Sequence, residues 1–68
     1  MKFDVYGNFQ VEVLRLADRW VAYELGVGTR VPLGIAIPPA LDASEIAQYL
    51  DDIFHEAGGP GDVVRSLD

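Results

Sequence analysis

Asp51, Asp52 and His55 are the residues of this 68-residue chain whose types and spacing could do chemistry. Asp51 and Asp52 stand four and three positions before His55, so on a helix all three occupy neighbouring places. Such a set could hold a divalent cation, or pass a proton between carboxylate and imidazole. Two or three ligands from one exposed helix do not close a metal site, however, and the chain has one histidine and no cysteine. A solvent-facing side made of Glu45, Gln48, Asp51, Asp52, His55 and Glu56 explains the same residues as a solubilising surface. A histidine in the last turn also complements the negative end of the helix dipole. Neither Ser44 nor Ser66 has an activating histidine beside it, because His55 falls on the far side of the helix from Ser44. Gly26-Val27-Gly28 lacks the third glycine and following helix of a dinucleotide site and reads as a turn. A domain this small also leaves little room for a substrate pocket. We therefore expect no enzyme activity, no metal and no cofactor. The acidic residues Glu45, Asp51, Asp52, His55 and Glu56 remain a candidate docking face for a basic protein.

The charge is unevenly placed. Residues 1–41 balance Asp4, Glu12, Asp18 and Glu24 against Lys2, Arg15, Arg19 and Arg30, so the net charge of −6 resides in residues 42–68. Nucleic acid is a poor partner for such a chain, since affinity there rests on neutralising phosphates. No apolar run approaches the ~20 residues that span a bilayer, and the charged N-terminus is no signal peptide, so the expected location is cytoplasmic. Half of the residues are hydrophobic, which argues for a folded chain, and 68 residues suit one domain with a small core.

The elements that must position these residues are written in alternation and in helical period. In "MKFDVYGNFQVEV", a two-residue loop would set Val5 against Gln10 and scatter the apolar residues over both faces. A three-residue loop, Tyr6-Gly7-Asn8, pairs Val5 with Phe9 and Phe3 with Val11, giving one dry face. Asn8 tolerates the left-handed conformation such loops end in. The same logic applied to "LADRWVAYELGVG" gives another odd loop, Ala17-Asp18-Arg19, which sets Val13 against Tyr23 and Val11 against Leu25. The predicted buried face is then Phe3, Val5, Phe9, Val11, Val13, Val21, Tyr23, Leu25 and Val27. "TRVPLGIAI" predicts a fourth, irregular strand at an edge, because Pro32 cannot donate to a ladder. Asp42 with Glu45 is a capping box, Leu41 with Ile46 a hydrophobic staple, and Gly58-Gly59-Pro60 a stop. Between them Ala43, Ile46, Ala47, Leu50, Ile53, Phe54 and Ala57 form one helical stripe. "DVVRSL" reads as a last strand at an open edge. The fold expected is α+β in two layers: an antiparallel three- to four-stranded meander packed on one helix, about 43–57, with a short C-terminal strand.

In this register the outward side of the second and third strands carries Leu14, Leu16, Trp20 and Ala22. An exposed apolar cluster with a tryptophan marks a partner surface, and the partner is either a protein or a second copy of the chain. A bulge that turned these residues inward would remove it.

"FDVYG" at 3–7, "RWVAYELG" at 19–26, "IPPAL" at 37–41 and "YLDDIFHE" at 49–56 span nearly the whole chain. On these motifs the chain resembles a family of short bacterial proteins known as a domain of unknown function. The resemblance implies a bacterial, stand-alone protein and transfers no functional residue. "WVAYEL" and "LDASEIAQYL" are also similar in pattern to the antitoxins of small toxin–antitoxin pairs, which set a three-stranded sheet before a helix. The compact first hairpin and the lack of a DNA-binding extension depart from that pattern. The first reading is a non-enzymatic interaction module; the alternative is an acidic, antitoxin-like inhibitor of a basic partner.

Overall fold

The computed structural model describes all of residues 1–68. Five antiparallel strands, β1 (Lys2–Val5), β2 (Phe9–Arg15), β3 (Trp20–Leu25), β4 (Arg30–Pro32) and β5 (Val64–Ser66), form one sheet in the order β4-β3-β2-β1-β5. One helical segment, α1, covers a single face of it. Its α-helical part is Ile46–Phe54, extended by 3-10 turns at Ala43–Glu45 and His55–Ala57. This is the expected α+β architecture, and both short strands lie at the edges. The fourth strand is shorter than expected: beyond Pro32 only the Leu33 N–H continues the pairing, donating to the Ala22 carbonyl at 2.9 Å.

The first hairpin has the predicted register, Val5 against Phe9 and Phe3 against Val11. Its turn differs in detail. Tyr6 and Gly7, not Asn8, adopt positive φ, at 59° and 73°, and the Asn8 N–H closes the turn onto the Val5 carbonyl at 2.9 Å. Tyr6 is the one non-glycine residue with positive φ, a conformation that costs an L residue free energy unless its surroundings impose it. Here they do. The Tyr6 hydroxyl donates to Asp51 on the helix, with Oδ1 at 2.5 Å and the backbone oxygen at 3.1 Å, and its ring lies against Gly58 so closely that a Cβ there would come within 3.0 Å.

The second hairpin overturns the odd-loop prediction. Val13 pairs with Ala22, Leu14 with Val21 and Glu12 with Tyr23, one residue away from the expected register. The Leu16 N–H donates to the Arg19 carbonyl at 2.8 Å, leaving Ala17-Asp18 as a two-residue loop. A one-residue slip exchanges the two faces of a strand. Trp20 and Ala22 therefore turn toward the helix, whereas Val21, Tyr23 and Leu25 turn away from it; Val27, expected inside, is fully exposed at the tip of the next hairpin. The tryptophan explains which register wins. Its indole N–H donates to the Leu41 carbonyl at 3.0 Å, and the Arg15 guanidinium sits 5.1 Å from its ring while bonding the Pro39 carbonyl at 2.7 Å. These contacts fasten the Pro38–Leu41 approach to the helix, and small Ala22 leaves room beside Val13.

The core consists of Phe3, Val5, Val11, Val13 and Ala22 from the sheet, Ile46 and Leu50 from the helix, and Ile37 from the connection before it. Phe9 meets Phe54 edge to face, ring centroids 5.2 Å apart. Of the predicted helical stripe, Ala47 and Phe54 are half-buried, whereas Ala43, Ile53 and Ala57 are exposed. The capping box at Asp42 is formed, with its N–H donating to Glu45 Oε1 at 3.1 Å.

Candidate functional site

With one helix on one side, the other face of the sheet has no covering layer. Its strand positions are Lys2 and Asp4 from β1, Gln10, Glu12 and Leu14 from β2, Val21, Tyr23 and Leu25 from β3, Arg30 and Pro32 from β4, and Arg65 from β5. Alternation divides this face in two. Toward β5 it is ionic: Arg65 reaches Asp4 at 3.7 Å, and the Gly7 N–H donates to the same carboxylate at 3.0 Å. Toward β3 it is apolar. Leu14 lies directly opposite Val21, and Tyr23 lies between Glu12 and Pro32, with Leu25 next along the strand. Arg30 bridges the halves, pairing with Glu12 at 3.2 Å while its guanidinium stacks 4.4 Å from the Tyr23 ring centroid. Such stacking orders an otherwise mobile arginine over an aromatic surface.

The sequence reading placed four residues in an outward patch. Leu14 is there. Leu16 is exposed at the mouth of the turn, 43% of it accessible. Trp20 is half-buried on the covered side and Ala22 is buried, so neither belongs to the patch. Their places are taken by Val21, Tyr23 and Leu25, which the one-residue slip turns to the open side, each half-buried. A default two-residue loop would have pointed to them, but Ala17-Asp18 carries none of the Asn-Gly or Asp-Gly chemistry that announces such a loop.

The helix side separates the acidic residues from one another. Asp51 is half-buried and accepts from Tyr6; Asp52 accepts from the Gln48 amide at 2.9 Å; Glu45 closes the cap; His55 Nδ1 donates to the Asp52 carbonyl at 2.9 Å. No three of the His, Asp or Glu side chains gather closely enough to hold a metal ion. Loss of hydration, and after it the hydrogen bond to Asp51, push the Tyr6 hydroxyl pKa up to about 12. The Ser44 hydroxyl, donating to Asp42 at 2.6 Å, holds that carboxyl below its ordinary value. Two shallow cavities are present. One of about 270 Å³ runs along the helix flank between Leu41, Glu45, Tyr49 and Asp52, and one of about 220 Å³ lies between the Tyr6-Gly7 turn and Gly61–Arg65. Small-molecule sites usually start near ~300 Å³ and enclose most of their ligand. No buried side-chain nitrogen or oxygen lacks a hydrogen-bond partner. No helix is long and apolar enough to cross a membrane.

Residues 1–67 match a family described as a domain of unknown function, DUF7661. This chain belongs to that family. No curated protein and no solved structure matches it.

Proposed function

We propose that this member of the family is a non-enzymatic interaction module that works by burying its open sheet face against a protein. The observation that carries this reading is the apolar half of that face, the half-buried Leu14, Val21, Tyr23 and Leu25 of β2 and β3, on the side of the sheet that the helix leaves uncovered. Contiguous apolar surface of this kind is stabilised by a partner, and an ordered aromatic such as Tyr23 is the residue type on which binding energy concentrates. Affinity capture from a lysate of the source organism tests it. Proteins retained by the wild type and by Glu56→Gln, but lost from Val21→Asp, support the open face as the docking surface. The same set of proteins on all three sinks the proposal.

The acidic-inhibitor reading rests on a different observation: Glu45, Asp51, Asp52 and Glu56 share one helical segment that contains no Lys or Arg. Three of these four accept hydrogen bonds within the chain, Asp51 from Tyr6, Glu45 from the cap and the exposed Asp52 from Gln48, which leaves Glu56 and the outer side of Asp52 to meet a basic partner. Binding by that side would weaken steeply with added salt and fail in Asp52→Lys.

A further inference from the structure

The open sheet face, we infer, is the seat of a second copy of this chain, the two copies docking face to face about a two-fold axis near β2 and β3. This rests on the interaction reading above and names its partner.

Charge is the first argument. The chain carries −6, so bringing two copies together is opposed overall, and the contact that opposes it least is the one that keeps carboxylates apart. Only two of the eleven acids, Asp4 and Glu12, stand at strand positions of the open face, and each is paired within its own chain, with Arg65 and Arg30. Lys2, Arg30 and Arg65 outnumber them. Contact through the helix side would instead set Asp52 and Glu56 against their own copies. With the open faces together, both acidic layers point outward on opposite sides of the pair.

Size and anatomy supply the second argument. The molecule measures 35 × 28 × 22 Å, so a broad face offers on the order of 800 Å², about what each partner contributes to a stable interface of standard size. The apolar residues Leu14, Val21 and Tyr23 come from the central strand β2 and its neighbour β3, where Glu12 stands opposite Tyr23 and is neutralised by Arg30, while Asp4 and Arg65 lie toward the other edge. An apolar patch bordered by paired charges is a usual feature of a protein interface. A two-fold axis makes such a patch its own complement, and two twisted sheets pack well through their broad faces.

Light scattering or sedimentation equilibrium of the intact chain over a range of concentrations tests the inference. The mass should rise from 7.4 kDa to twice that value, and association should strengthen from low to physiological salt as the mutual repulsion of the two −6 chains is screened. Val21→Asp should weaken it by roughly thirtyfold or more, the size of a hot-spot loss. Leu14→Lys should do the same with the opposite charge, so the test survives if one variant fails to fold by circular dichroism. Asp52→Lys should leave the dimer intact. A wild type that stays at 7.4 kDa throughout overturns the second-copy inference while leaving the lysate comparison to judge the interaction reading. Species that grow past the dimer with concentration overturn the two-fold arrangement. A dimer that Asp52→Lys dissolves and Val21→Asp leaves untouched overturns both.

Discussion

The two faces of the sheet are built from the same strands, one residue out of phase, and are held by different physics. The covered face is close-packed: Val5, Val11 and Val13 meet Ile46 and Leu50, and all five are essentially without solvent contact. The open face is organised by ions and stacking, Arg65 on Asp4 and Arg30 on Glu12 and Tyr23, around half-buried aliphatic side chains. A packed interior resists any loss of volume, whereas solvent-exposed ion pairs contribute little to stability. The difference implies that folding depends on one face and leaves the other free to specialise.

Leu50→Ala should break the covered side hardest, removing ~2–5 kcal/mol of unfolding free energy in a denaturant titration. The sharpest comparison uses one substitution twice. Val13→Thr buries a hydroxyl under the helix and should cost ~1–3 kcal/mol, whereas Val21→Thr keeps the branched shape on the open side and should stay within about 0.5 kcal/mol. Equal effects of the two threonines would erase the distinction between the faces. Trp20→Phe, which keeps a ring but strands the Leu41 carbonyl, should cost ~1 kcal/mol; no change in the denaturation midpoint would contradict its place on the covered side.

The hairpin turn at Tyr6 joins the two layers and makes a pH prediction. Its hydroxyl titrates at about 12 in the folded chain against an ordinary 10.0, so the folded state holds that proton more tightly than the unfolded one. The resulting stability is complete below pH 10 and is lost as pH rises through the interval to 12. The thermal midpoint should therefore fall over that interval, and Tyr6→Phe should flatten the fall relative to wild type.

The helix was legible because Asp42, Glu45, the apolar stripe and Gly58-Gly59-Pro60 all agree, and local signals that agree leave one solution. The first hairpin was legible for a related reason: its polar residues, Lys2, Asp4, Gln10 and Glu12, tolerate only one side. The third strand carried a misleading signal. Trp20 and Ala22 share their side with Glu24, so alternation pointed to the wholly apolar Val21, Tyr23 and Leu25 as the buried side, and the structure overrides it. What decided the register was a long-range hydrogen bond, from the Trp20 indole to a carbonyl 21 residues away, and no local rule contains it. The open-face site was displaced by one residue for that reason alone. The left-handed Tyr6 was hidden in the same way, since its cause lies on the helix.

Both outermost strands are only three residues long, and β4 ends at Pro32, which has no N–H to offer. A chain with this many β-branched side chains is at risk of recruiting neighbours into endless ladders and fibrils. These abbreviated margins deny an incoming strand a template to extend, so the sheet can present a greasy surface to solvent without becoming a seed for aggregation.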